Sequence, residues 1–139
     1  PVPHELDGRD CWCGRNGCLD SFLSLGGLET EYHNITQTRL DIKAIAAAAD
    51  TSDLVASSVL QVLDDRIGRT TAMIINMFDP DVIILGGRLA GLDRLYQNVP
   101  RKWPGYLLVE RNETKLQKAN QDAFTLAKGT ACLANDPAI

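Results

Sequence analysis

Apolar residues recur every three or four positions along most of the chain, which is the spacing of one face of a helix. The longest such run follows the polar segment 50–53 and continues to about Met77. We expect this helix to stop before Asp79-Pro80, because a residue that precedes proline avoids the helical region. Gly68 lies inside the run and costs about 1 kcal/mol relative to alanine. Its presence predicts close packing against another element.

Four further segments are predicted to be helical. The first starts at Leu19 and is weakened by Gly26-Gly27, and the second is capped by Asp41 and extends through Ala49. The third covers residues 90–99. A closing helix is predicted over residues 123–134, with Asp122 near its start.

Three segments are predicted to be strands. The run Val82–Leu85 is continuously apolar and lies between Pro80 and a glycine pair, which is typical of a strand buried on both faces. Residues 106–110 and 115–119 read as shorter strands. Helices that alternate with buried strands predict an α/β domain.

Composition narrows the class of protein. The 139 residues are 45% hydrophobic and 23% charged, which is ordinary for a globular domain. A net charge of −4 argues against a nucleic-acid surface in this segment. No apolar stretch approaches the ~20 residues of a membrane helix. The chain opens Pro-Val-Pro without methionine, so we interpret it as part of a longer protein.

The main candidate chemistry is a cysteine cluster. Cys11, Cys13 and Cys18 fall within a run of eight residues that also contains two glycines. Closely spaced thiolates favour Zn²⁺, which takes four ligands in a structural site. His4, seven residues before Cys11, is the candidate fourth ligand within the chain, and Asp7, Asp10 and Asp20 are harder alternatives. We therefore predict a zinc-binding loop over residues 1–18, in a reducing compartment such as the cytoplasm.

A second candidate is the pair Gly86-Gly87, at the end of the buried strand and ahead of a helix. Ligands of α/β folds bind at the carboxyl ends of strands. A glycine pair there lets a nucleotide approach the backbone. The alternative reading is a tight turn between strand and helix.

Together these segments resemble the ROK family (repressors, open reading frames, kinases). The run from Cys11 to Ser24 is similar to the family's zinc signature, Cys-x-Cys-Gly-x-x-Gly-Cys-x-Glu. The run from Phe78 to Gly87 is similar to its nucleotide-side strand, and residues 92–96 and 114–118 are similar to the bacterial fructokinase branch. The chain therefore resembles the C-terminal half of a ROK sugar kinase.

The resemblance implies an actin-like, ribonuclease-H-like ATPase fold with two α/β lobes. Residues 19–139 would form the C-terminal lobe. The parent protein would transfer the γ-phosphoryl group of ATP, with Mg²⁺, to a hexose, and the similarity to the fructokinase branch favours fructose. The family's phosphate loop and catalytic base belong to the N-terminal half, so no catalytic residue is assigned here.

The resemblance also implies three site contributions. Asp20 stands where the signature has Glu and would bind sugar hydroxyls. Gly86 and Gly87 would lie beside the adenosine. The family's fourth zinc ligand is a histidine that would lie upstream of Pro1, and it competes with His4 for that role. Family members commonly form homodimers, so we expect one.

Two other functions remain open. A sugar-responsive transcriptional repressor of the same family would carry the zinc run and add an N-terminal helix-turn-helix. A zinc-stabilised module without enzymatic activity would leave Gly86-Gly87 unexplained. The sequence upstream of Pro1 would separate these alternatives.

Overall fold

The computed structural model describes residues 8–120 and 130–132, and it has the expected α/β class. Strands β1 and β2 pair in parallel, with Val82 opposite Lys115 and Leu85 opposite Lys118. The closing helix lies outside the described residues except at 130–132, which are helical, and His4 lies outside them too. In chain order the elements are α1 (Asp20–Leu23), α2 (Leu25–Thr36), α3 (Ile42–Asp50), α4 (Leu54–Phe78), β1 (Val82–Leu85), a 3-10 turn (Arg88–Gly91), α5 (Arg94–Lys102), a second 3-10 turn (Trp103–Gly105) and β2 (Lys115–Lys118).

Helix α4 is the central element, and both of its predicted ends are confirmed. Asp53 caps its start, where the carboxylate Oδ1 accepts hydrogen bonds from the backbone N–H groups of Val55 (2.8 Å) and Ala56 (3.0 Å). Asp79 ends it in the left-handed region, with φ 45° and its N–H bonded to the carbonyl of Ile75. Although α4 has 25 residues, no helix in the described part of the chain is long and apolar enough to cross a membrane.

The hydrophobic core surrounds α4, which packs against α2, α3 and α5. The buried indole N–H of Trp103 has a partner in this core, because it donates to Thr71 Oγ1 over 2.8 Å. Burial of this apolar surface supplies most of the folding free energy. The largest fully buried apolar side chains are Phe22, Leu28, Ile45, Leu60, Leu63, Leu95 and Val99.

A buried ion pair fixes α5 to α4. Asp64 is 2% exposed, and its Oδ2 accepts hydrogen bonds from Arg94 Nη2 (2.8 Å) and Asn98 Nδ2 (2.9 Å). Ile83 and Leu85 of β1 pack against the same core. The segment between β1 and α5, which contains the glycine pair, is therefore held at both of its ends.

The strand predicted over residues 106–110 is wrong, and this segment is irregular. The side chain of Asn76 in α4 hydrogen-bonds backbone groups of this segment. Its Nδ2 donates to the carbonyl of Tyr106, and its Oδ1 accepts from the N–H of Leu108, each over 3.0 Å. The 3-10 turn before it, containing Pro104, also breaks the extended conformation. The helix predicted over residues 90–99 lies slightly later in the chain, as α5 (Arg94–Lys102). Residues 90 and 91 belong to the first 3-10 turn instead.

The prediction that β1 is buried on both faces is also wrong within the described residues. Val82 is 36% exposed and Ile84 is 61% exposed, whereas Ile83 and Leu85 are half-buried against the core. Side chains alternate between the two faces of a strand, so the face with Ile83 and Leu85 packs on the core and the face with Val82 and Ile84 is exposed. A continuous apolar run does not reveal which of its faces is covered.

Gly68 packs as expected. A Cβ atom at this position would lie 2.7 Å from Lys102 Cβ on α5, closer than the ~3.5 Å at which carbon atoms attract one another. The prediction of a close helix contact at Gly68 is therefore confirmed.

We expect Gly68→Ala to destabilise the parent protein by about 1–2 kcal/mol, because α5 must shift and this outweighs the better helix propensity of alanine. Gly26→Ala is the matched control, since a Cβ atom there meets nothing within 4 Å. It should be neutral or stabilise by up to about 1 kcal/mol. Urea denaturation measures both. Equal effects of the two substitutions would contradict the packing assigned to Gly68.

Candidate functional site

The three cysteines of the loop converge as predicted. The Sγ atoms of Cys11, Cys13 and Cys18 all lie within 4.8 Å of one another, and those of Cys13 and Cys18 are 3.6 Å apart. Two sulfurs bound to one tetrahedral Zn²⁺ at ~2.3 Å would be ~3.8 Å apart. The thiol arrangement therefore fits a metal of this kind, with a fourth position to be filled from elsewhere.

The backbone around the thiols forms a tight turn, and its conformation at two positions favours glycine. Gly14 has φ 80° and Gly17 has φ 71°, in the left-handed region. The N–H of Cys11 bonds the carbonyl of Arg15 over 2.8 Å, and the N–H of Gly14 bonds the carbonyl of Cys11 over 2.9 Å. The loop therefore brings its sulfurs together through its own hydrogen bonds.

The thiols also interact electrostatically when no metal is bound. A backbone hydrogen bond at Arg15, and then hydrogen bonds with Cys18 and Cys11, lower the pKa of Cys13 below its usual value. Hydrogen bonds with Cys13, and then with Cys11, raise the pKa of Cys18 to about 11. A metal that binds all three sulfurs must displace the thiol protons.

Two arginines that sequence reasoning missed fasten this loop to the fold. Arg9 Nη2 lies 2.8 Å from Glu31 Oε2, and Arg66 of α4 bonds the same oxygen. The guanidinium carbons of both arginines lie over the ring of Phe22, 4.7 and 4.8 Å from its centroid. Arg9 Nη1 also donates to the carbonyl of Gly27 over 3.0 Å. The sequence offered one signal, because Arg66 falls on the apolar face of the predicted helix. In the structure Arg66 is only 7% exposed.

Asp20 lies in a groove beside the cysteine loop. It begins α1 and is exposed, and its Oδ2 accepts a hydrogen bond from Trp12 Nε1 over 3.2 Å. The groove has a volume of about 430 Å³, within the ~300–1,000 Å³ range of small-molecule sites. Its lining includes Arg9, Asp10, Cys11, Trp12, Asp20, Ser24, Gly26, Thr30 and Asn34. The fold thus joins the cysteine loop and the predicted sugar-binding carboxylate in one concave surface.

The glycine pair lies directly after β1, where an α/β fold binds ligands. Gly87 has φ 77°, so its backbone conformation favours glycine. Gly86 lines an apolar cavity of about 280 Å³ between α4 and β1. The expected helix does not follow at once, because a 3-10 turn intervenes and α5 begins only at Arg94. No helix N-terminus of the described residues therefore directly follows the glycine pair.

Comparison with known proteins decides the family. The ROK family profile matches residues 2–137. The chain belongs to the ROK family. It is 32% identical over 124 residues to an N-acetyl-D-glucosamine kinase of Pasteurella multocida, covering 89% of this chain and 41% of that protein. The corresponding kinase of Yersinia enterocolitica is 27% identical, covering 93% and 43%. The chain thus spans less than half the length of these curated relatives.

Solved structures confirm the ROK-type fold. The ROK hexokinase from Thermus thermophilus superposes with a TM-score of 0.78 at 23% identity, covering 91% of this chain and 43% of that one. The Streptomyces griseus ROK glucokinase, solved with glucose and AMPPNP, gives 0.76 at 24% identity, covering 91% and 47%. A ROK transcriptional regulator, a homologue of the E. coli MLC protein, gives 0.69 at 26% identity, covering 83% and 32%.

We expect the parent protein to bind a thiophilic divalent metal at this loop. Loading with Co²⁺ should produce an absorption band from thiolate ligands. Cys13→Ser should weaken metal retention at least ~10-fold, because one of three thiolates is lost. Cys132→Ser is the control, since that exposed thiol is not in the cluster. An undiminished cobalt–thiolate band in Cys13→Ser would contradict the assignment.

Proposed function

We propose that the protein to which this chain belongs is an ATP-dependent sugar kinase that phosphorylates a hexose-class substrate. One observation carries the proposal: the Asp20 carboxylate shares a groove with the cysteine loop in a chain of the ROK family. A carboxylate is a strong acceptor for sugar hydroxyl groups. The similarity to N-acetylglucosamine kinases over about nine-tenths of this chain supports the same class of reaction.

In this proposal the loop holds a structural Zn²⁺ through Cys11, Cys13 and Cys18. The fourth ligand is His4 or a histidine upstream of this chain. The ion restrains the loop that carries Trp12 and leads into Asp20. Zn²⁺ has no redox chemistry of its own and suits a purely positional role. The site therefore orients the sugar, and the reacting groups come from elsewhere in the parent protein.

Gly86 and Gly87 form the nucleotide side of the proposed site. A Cβ atom at Gly87 would meet nothing within 4 Å among the described residues, which supports a close approach of a ligand to this backbone. ATP binds there through its adenosine, and Mg²⁺ neutralises the phosphate charge during transfer. Phosphoryl transfer depends on aligning the phosphates, the metal and a base. This chain on its own is therefore proposed to be inactive.

The substrate is proposed to be a hexose or a hexose derivative. Residues 92–96 and 114–118 favour fructose by their likeness to the fructokinase branch, whereas the curated relatives carry the name N-acetyl-D-glucosamine kinase. Both sugars, together with glucose, form the substrate panel to be tested. We also propose a homodimer in the cytoplasm, where the free thiols of the loop stay reduced.

A repressor is the second candidate function. The observation in its favour is the ROK transcriptional regulator, which superposes with a TM-score of 0.69 at 26% identity. The negative charge of this chain does not oppose it, because a separate DNA-binding segment would make the contacts. A parent that bears such a segment, binds duplex DNA and releases it on adding sugar would favour the repressor.

We expect the purified parent protein to convert ATP to ADP in the presence of at least one sugar of the panel. Asp20→Asn should raise the KM for that sugar at least ~10-fold, because a hydrogen bond to a charged acceptor is lost. Asp93→Asn is the control, since this carboxylate is 86% exposed and pairs with Lys118. A coupled ADP assay measures both. A metal-replete parent that phosphorylates none of the sugars would refute the proposed function.

A further inference from the structure

The most exposed aromatic side chain of the described residues lies at the proposed sugar site. Trp12 is 88% exposed, whereas Trp103 is only 4% exposed and sits in the core. Exposing an indole ring forgoes the large stabilisation that its burial would supply. At 88% exposure the Trp12 ring is not covered by the cysteine loop, so it is free to meet a ligand in the groove.

The indole is held in place by short-range contacts. Trp12 lies between Cys11 and Cys13, inside the turn closed by the hydrogen bond from the N–H of Cys11 to the carbonyl of Arg15. Its Nε1–H donates to Asp20 Oδ2 over 3.2 Å. The ring therefore lines the same groove as Asp20.

This contact bears on how a short carboxylate can serve the site. Asp20 stands where the family signature has the longer Glu, so its reach depends on its orientation. The indole N–H occupies Oδ2, and Oδ1 has no hydrogen-bond partner within residues 8–120 and 130–132. That second oxygen is available to a hydroxyl group.

Polar side chains of α2 also line the groove. Thr30 and Asn34 of α2 line it, and both are exposed. Gly26 also lines it and leaves space, because a Cβ atom there would meet nothing within 4 Å. A ligand in the groove would thus have an aromatic wall, a carboxylate and a polar wall. This combination suits a sugar ring, which has apolar C–H patches and a polar rim.

We propose that Trp12 is a second sugar-contacting residue and a determinant of specificity. Its N–H orients the Asp20 carboxylate, and its ring packs against an apolar C–H face of a monosaccharide. This inference rests on the proposed sugar-kinase function and deepens it. The favoured substrates are monosaccharides whose ring offers a continuous C–H face next to a hydroxyl within reach of Asp20.

Direct binding tests the contact without catalysis. In the parent protein, the substrate sugar added without ATP should protect Trp12 from quenching by acrylamide. Trp103→Phe should keep that protection, because the buried Trp103 is remote from water. Trp12→Phe should abolish it. Protection that persists in Trp12→Phe would overturn the proposal.

Kinetics separate the two roles of the indole. Trp12→Phe keeps a ring but loses the N–H, and Trp12→Leu loses both. We expect a ~10-fold rise in sugar KM for Phe and a larger rise for Leu, with the KM for ATP unchanged. Leu108→Ala is the control, because Leu108 is equally exposed at 88% and does not line the groove. The metal content of each variant is measured. Where a variant loses metal, the quenching measurement on the unsubstituted Trp12 decides the question instead of the kinetics.

The outcomes also distinguish this inference from the proposed function. An active kinase whose sugar KM is unchanged in metal-replete Trp12→Leu refutes the role of Trp12 and leaves the kinase intact. A parent that phosphorylates no sugar and shows no protection of Trp12 refutes both.

Discussion

The ion pairs of the Glu31 carboxylate with two arginines are the interaction on which the rest of the site depends. It joins Arg9, which precedes the cysteine loop, to Arg66 in the middle of α4. The side chain of Arg66 is only 8% exposed. Removing the partner of such a buried charge costs about 3–5 kcal/mol, because the charge left behind is not solvated. The two guanidinium groups also cover the ring of Phe22, the one buried residue of α1.

This contact explains how a very short helix can hold Asp20, the proposed sugar-binding carboxylate, in place. Helix α1 has four residues, too few to be stable by itself. Gly27 of α2 packs closely against α1, since a Cβ atom at this position would be 2.5 Å from the carbonyl oxygen of Ser21. Arg9 bonds the carbonyl oxygens of both Ser21 and Gly27. The loop, α1 and the start of α2 are therefore fastened as one unit to α4.

Local signals in the sequence predict the features that depend on neighbouring residues. The cap at Asp53, the stop before Pro80 and the convergence of three closely spaced cysteines are of this kind. The segment after Gly105 was predicted to be a strand but is irregular. Its conformation depends on a hydrogen bond from Asn76, thirty residues earlier in the chain, and no periodicity reveals that contact. The exposed face of β1 depends likewise on what packs against it. Arg9, Glu31 and the exposure of Trp12 could not be predicted, because they arise from contacts between distant elements.

In the proposed function, a metal-restrained loop holds Asp20 in position for the sugar. Calorimetric titration of the substrate sugar into metal-replete and verified metal-free parent protein tests it most directly. We expect sugar affinity to fall at least ~10-fold when the metal is removed, since the carboxylate loses its fixed orientation. Equal affinity in the two forms, with the fold intact in both, would contradict it.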